Sequence, residues 1–211
     1  MGHAHAEWVH YLSEGANISD EHRVATAGAY VRYGSVFPFM VGPTAGGDML
    51  GVVRLGGHRE TSETPWECAV REVREEASIA ITAEHPSCTY WLGSDDDPSL
   101  LRKVDWVAEG CDTTPPFLDI ERPSLPGCPL SVMYLARATA PPTPSGESHG
   151  LLMLTVDDVY RVVSGEMTLR GYIERGGVAL FSKSLPLDLR LVPFLQLRML
   201  SILLGLHPDL K

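Results

Sequence analysis

GHRETSETPWECAVREVREEASI, residues 57–79 of a chain of 211 residues, decides how the rest is read. Thr64, Pro65, Trp66 and Glu67 have the order of a capping box. The Thr64 hydroxyl can accept from the first-turn amides, Pro65 needs no hydrogen-bond partner at the first helical position, and Glu67 can reach back to the cap. A helix is therefore predicted from Pro65. Trp66, Ala69, Val70, Val73 and Ala77 recur at three- and four-residue spacing and give it one apolar stripe. Glu72, Glu75 and Glu76 share a different face, centred roughly 120° from that stripe at about 100° per residue. Like charges at this spacing destabilise a helix by about 0.2–0.5 kcal/mol per pair. The cluster thus points to a cation, the plainer alternative being a solvated acidic face. Arg71 is spaced to pair with Glu67 one turn back and Glu75 one turn on. Carboxylates without nearby His or Cys suit a hard ion such as Mg²⁺ or Mn²⁺, which keeps several waters and is completed by substrate phosphates.

The spacing of the stretch resembles the signature of the Nudix hydrolase family: Gly, five residues, Glu, seven residues, Arg-Glu-apolar, one residue, Glu-Glu, one residue, Gly-apolar. Gly57, Glu63, Arg71, Glu72, Val73, Glu75, Glu76 and Ile79 fit in register, and Ser78 stands where the family has Gly. The resemblance implies an α/β fold, a mixed β-sheet sandwiched between helices (α/β/α), with a C-terminal helical extension. It implies one Nudix domain over residues 1–211, with 1–22 as an N-terminal segment and 186–211 as a C-terminal helix added to it. The implied reaction is attack of water on a diphosphate bond in a nucleoside diphosphate linked to another group, with Mg²⁺ or Mn²⁺ as cofactor. By similarity, Glu72, Glu75 and Glu76 hold the metal, joined by the Gly56 carbonyl, and Arg71 positions Glu72. Which carboxylate acts as base is open. Glu63 takes a structural or outer metal-shell role, and Glu147, in a later loop, is an additional acidic candidate. Ser78 removes no ligand, but Ser at a helix exit that favours positive φ costs about 1 kcal/mol. The rival class is a non-catalytic Nudix-fold sensor that binds a nucleotide derivative; such proteins tend to lose the box carboxylates, which are kept here.

The formal net charge of −10, with no basic run, argues against a nucleic-acid polymer or an anionic membrane as partner. A nucleoside diphosphate derivative would have to be met locally, by metal and a few Arg or Lys. Cys68, Cys88, Cys111 and Cys128 form no CxxC pair and are read as reduced thiols. The start, MGHAHAEWVHYL, lacks the basic and long apolar regions of a signal peptide, so a cytoplasmic location is expected. His3, His5 and His10 are read as scattered imidazoles on a mobile terminus.

Along the chain, Val24–Tyr33, Val36–Val41 and Met49–Leu55 read as strands, the third running into the Gly56-Gly57 turn. Ile79–Ala83, Thr89–Leu92, Val104–Ala108, Leu130–Ala138 and Leu151–Leu154 follow as further strands. Gly93–Ser99, with Asp95, Asp96 and Asp97, is expected to be an exposed turn without the spacing of a calcium loop. Thr113–Pro129 reads as a long Pro-rich connector where specificity would be written. Helices are expected after Thr155, with Asp158 at its third position, and from Thr168 to a stop at Gly176. Val192–Leu206 is apolar on most faces, but Gln196 and Arg198 interrupt it and it is too short for a membrane span. Core packing is favoured for it, with burial in a homodimer as the alternative. Candidates for substrate contact are Arg54, Arg102 or Lys103 toward phosphate and Tyr90, Trp91 or Trp106 toward a base, although aromatic residues in strands are more often core.

Overall fold

The computed structural model describes residues 23–95, 97–106, 108, 113–146, 148–165 and 167–210. Its strands divide between two mixed sheets. The larger contains β1 (Val24–Arg32), β4 (Leu55–His58), β5 (Ile81–Ala83), β6 (Thr89–Leu92), β7 (Leu101–Val104), β8 (Leu118–Glu121) and β9 (Leu130–Ala138), in the order β4-β1-β9-β8-β6-β7 with β5 also on β9. The smaller runs β11 (Val178–Phe181), β10 (Gly150–Leu154), β2 (Phe37–Pro43), β3 (Leu50–Val53), β12 (Leu191–Pro193). Four α-helices accompany them among the described residues: α1 (Pro65–Ala77), α2 (Val156–Ser164), α3 (Leu169–Glu174) and α4 (Leu195–Leu206). The mixed α/β class expected from the sequence is the one observed.

Two-residue periodicity explains why the larger sheet is buried on both faces. Ala27, Ala29 and Val31 of β1 and Val132, Tyr134 and Ala136 of β9 join Ala69, Val73 and Ala77 of α1 in one apolar cluster. The alternate residues Tyr30, Met133 and Leu135 join a larger cluster with the second sheet and with α2, α3 and α4. Ala enters the first cluster from both sides, Ala27, Ala29 and Ala136 from the sheet and Ala69 and Ala77 from α1, and side chains this small let the helix lie close to the strands; Trp66 and Tyr134 form a T-shaped pair at 5.1 Å. In the second cluster α4 buries Leu197, Met199, Leu200, Leu203 and Leu204, as core packing requires, and the Tyr30 hydroxyl donates to the Gln196 carbonyl at 2.8 Å.

Several expectations need correction. Met49–Leu55 is not one strand: the chain changes sheets at Arg54, β3 pairing with β2 and β12 while β4 pairs with β1. The strand expected at Val104–Ala108 lies at Leu101–Val104, where it pairs with β6. The connector Thr113–Pro129 contains β8, held between β6 and β9. Residues 186–211 include β12 and a 3-10 turn at Pro208–Leu210 as well as α4. Asp97 caps a short 3-10 helix, Pro98–Leu100, through the Ser99 amide, and Asp95 meets Arg122 at 3.6 Å. Asp96, Cys111, Glu147 and the three N-terminal histidines lie outside the described residues. Cys68, Cys88 and Cys128 are unpaired thiols.

The exit of α1 carries the expected departure. Ser78 is the C-cap, in the left-handed region at φ 55°, with its N–H donating to the Arg74 carbonyl at 3.0 Å. Ser adopts the conformation the turn demands, at a cost Gly would not incur. Ser78→Gly is expected to stabilise the fold by about 1 kcal/mol, raising the melting midpoint by roughly 2–4 °C for a chain of this size. A thermal melt of the variant against the native protein checks this; an unchanged or lower midpoint refutes it.

Candidate active site

The site begins where β4 meets β1. In this antiparallel pair Gly56 lies opposite Gly28 and Gly57 opposite Ala27. Gly56 has φ +142°, and a Cβ built on it would lie 2.4 Å from the Ala27 carbonyl oxygen and 2.4 Å from the Gly28 Cα. Only glycine fits this crossing. At Gly57 a Cβ would meet the Glu72 carboxylate at 2.4 Å, so the missing side chain is the space that carboxylate occupies.

Helix α1 starts as its sequence predicts. The Thr64 hydroxyl accepts from the Glu67 amide at 3.2 Å, and the Glu67 carboxylate accepts from the Thr64 amide at 2.8 Å. This engagement is why the expected Arg71–Glu67 pair does not form. Arg71 turns instead to the loop before the helix. Its Nε and Nη2 grip both oxygens of Glu63 at 3.0 and 2.7 Å, Nη1 donates to Glu72 at 2.8 Å and to Glu75 at 3.0 Å, and Nη2 also donates to the His58 carbonyl at 3.0 Å. One guanidinium therefore ties three carboxylates together and offsets part of their repulsion. Glu76 points to the sheet, where one carboxylate oxygen accepts from the Gly56 amide at 2.8 Å. Its own backbone carbonyl accepts from the Ser145 amide and the Ser148 hydroxyl, both at 3.2 Å, so the loop before β10 is tied to the end of α1. Those loop contacts, and the link from Glu63 to Arg71, join residues that no helical or strand spacing relates.

Arg71 holds the Glu63 carboxyl down at about 2, the hydrogen-bonded guanidinium being the largest cause, and Glu63 in turn raises the pKa of Arg71. A depressed carboxylate adds stability that is fully present above the ordinary value of 4.5 and is lost as the pH falls toward 2. Arg71→Gln is expected to lift Glu63 toward its ordinary value and to shrink the loss of stability on this acid limb. Urea midpoints of both proteins at neutral pH and at about pH 3 test it; equal acid losses would refute it. Burial pushes the Cys68 thiol up to about 12, which makes it a packing group, not a nucleophile.

The other sequence candidates are placed differently. Arg54 is buried, and its Nη1 donates to the Gly56 carbonyl, the oxygen expected to be a metal ligand. Tyr90 is taken up in a ring cluster with Phe117 and His207, its hydroxyl 3.0 Å from the His207 Nε2. Trp91 is half-buried on β6 with its ring against Gly93. The structure brings together Gly56, Gly57, Glu63, Arg71, Glu72, Glu75 and Glu76, and leaves Tyr90 with a different set of partners.

The donor set along α1 is all oxygen and fits a hard divalent cation by its chemistry. Among the described residues no three or more His, Cys, Asp or Glu side chains are gathered into a ligand cluster; Glu72 and Glu75 are bonded to Arg71 and Glu76 to the Gly56 amide. No helix among the described residues is long and apolar enough to cross a membrane.

Comparison with known proteins adds the following. The family model of the NUDIX domain matches residues 43–113. No curated protein sequence matches the chain. Among solved structures, a hydrolase of the NUDIX family from Clostridium perfringens is similar at 22% identity and TM-score 0.45, over 66% of this chain and 85% of that one. An Ap4A hydrolase from C. elegans is similar at 15% identity and TM-score 0.40, over 64% of this chain and 83% of that one. An ADP-ribose pyrophosphatase from Streptococcus suis is similar at 14% identity and TM-score 0.38, over 63% of this chain and 74% of that one.

Proposed function

We propose, from the match of residues 43–113 to the family model of the NUDIX domain, that the chain acts as a Nudix hydrolase and cleaves a diphosphate bond in a nucleoside diphosphate linked to another group, with Mg²⁺ or Mn²⁺ held by Glu72, Glu75 and Glu76. The observation that carries the reading is that each of these carboxylates of α1 is held by a fixed partner, Glu72 and Glu75 by Arg71 and Glu76 by the Gly56 amide, with Glu72 set against the Gly57 backbone. A divalent ion bound there supplies acidification of the attacking water and neutralisation of charge on the phosphates.

The chain's own residues do the rest. The barrier lies in bringing an anionic nucleophile to an anionic phosphoryl centre, so the groups that receive both must be fixed in advance. Glu72 is fixed by Arg71 on one side and by the vacant Cβ position of Gly57 on the other. Glu76 is fixed by the Gly56 amide. Glu63, gripped through both oxygens, orients Arg71 and holds the approach loop to the helix. A carboxylate of this set takes the proton that the water loses.

The test is an assay of the native protein with Mg²⁺ or Mn²⁺ on a panel of nucleoside diphosphate derivatives, beside Glu72→Gln. Metal-dependent turnover that collapses in the variant supports hydrolysis. Tight binding of a panel member without turnover would make the chain a sensor, and metal-independent turnover untouched by the substitution would remove the mechanism.

A further inference from the structure

Arg54 is a basic residue at a place where burial should exclude one. It is 8% exposed, lies where the chain passes from one sheet to the other, and fills a slot made by two glycines. A Cβ on Gly28 would stand 3.3 Å from its Cδ, and one on Gly56 would stand 2.9 Å from its Nη1. Nη1 donates to the Gly56 carbonyl, while Nε makes no hydrogen bond among the described residues. A buried guanidinium with part of its donor set unsatisfied is expensive unless a nearby negative charge offsets it. That charge is Glu76, whose carboxylate accepts from the N–H of the same Gly56. A single glycine residue thus links the two, its carbonyl to the cation and its amide to the anion.

We propose that Arg54 is a resident cation of the site: its guanidinium holds the Gly56 carbonyl in place of a divalent ion, so that the ion is held by the α1 carboxylates without that oxygen. This rests on the reading of α1 as a metal site. It reassigns Arg54 from the substrate phosphates to a positioning role, exercised through Gly56 on Glu76. It also accounts for the two glycines together, since either side chain would press on Arg54 or on the strand beside it.

The measurement is Mn²⁺ binding, followed by the electron paramagnetic resonance of free Mn²⁺, for the native protein, Arg54→Met, Arg54→Gln and Arg54→Lys, with Glu72→Gln as the reference for loss. Removing the neighbouring positive charge is expected to tighten Mn²⁺ binding about tenfold in both Arg54→Met and Arg54→Gln, and Arg54→Met also releases the carbonyl. Arg54→Lys keeps the charge and should bind as the native protein does. Arg54→Gln keeps a donor for the Gly56 carbonyl, which guards against a folding defect in Arg54→Met. If the native protein binds Mn²⁺ and neither neutral variant binds it more tightly, the inference is overturned and the metal site stands. If the native protein binds no Mn²⁺, both are overturned.

Discussion

Glu72→Gln is expected to lower metal-dependent turnover by about 10²–10⁴-fold, the range associated with losing a positioned acid-base group, while leaving the melting midpoint nearly unchanged. The separation of the two readouts follows from how Glu72 is held. Its side chain is 15% exposed and lies in the space left by the absent Cβ of Gly57, with Arg71 at 2.8 Å. Gln has the same shape, so the packing survives, and its amide oxygen can still accept from Arg71. What goes is the negative charge. The Arg71–Glu72 pair is partly buried, but Gln still accepts from Arg71 and Arg71 keeps Glu63 and Glu75, so the loss of stability is expected to stay at about 1 kcal/mol. The charge matters far more to a cation and to a water that must lose a proton. Turnover within a few-fold of native, at an unchanged midpoint, would remove Glu72 from the chemistry.

The parts of this molecule that could be read from the sequence are those governed by neighbours within about one helical turn or one strand. The capping box at Thr64 and Glu67, the start of α1, the span of β9 and the caps at Thr155 and Thr168 all depend on local hydrogen bonds or on simple periodicity. The change of sheet at Arg54 does not. Its neighbours Val52, Val53 and Leu55 look like one continuous strand, and only the pairing of β4 with β1, nearly thirty residues earlier in the chain, divides them. The same holds for β8, whose partners β6 and β9 lie on either side of a Pro-rich stretch.

The site divides the same way. Three carboxylates on one face follow from helical spacing, but the partner of Arg71 does not. Glu67 stands at the right distance along the helix and is already committed to its cap, whereas Glu63 reaches Arg71 from the preceding loop. The burial of Arg54 was hidden for a related reason. A lone Arg in an apolar run suggests a surface group near phosphate, and nothing local reveals that Gly28 and Gly56 leave it a slot. The chemistry of α1 is thus written in short spacings, while the contacts that tune it are set by the strand pairing.

Gly56 and Gly57, adjacent in sequence, should respond in opposite ways to one added methyl group. In Gly56→Ala the new Cβ would sit 2.4 Å from the Ala27 carbonyl oxygen and 2.4 Å from the Gly28 Cα, both backbone atoms of β1, at φ +142°. Neither neighbour can step aside without breaking the β1–β4 pair. Strain and overpacking together are expected to cost about 3–5 kcal/mol, lowering the melting midpoint by roughly 6–20 °C. In Gly57→Ala the three atoms nearest the Cβ all belong to the Glu72 carboxylate, the movable end of a flexible side chain. Moving it aside should cost about 1 kcal/mol or less in stability. The displacement nevertheless takes a fixed carboxylate from its position, and a shift of about 1 Å in a reacting group can cost about 10²-fold in rate. Gly57→Ala is therefore expected to melt close to native and turn over about 10²-fold more slowly, and Gly56→Ala to lose much of its stability. Melting curves and turnover measured on both variants decide it. Equal losses of stability would mean that the two glycines serve only the strand crossing, and a fully active Gly57→Ala would mean that the position of Glu72 does not matter to the reaction.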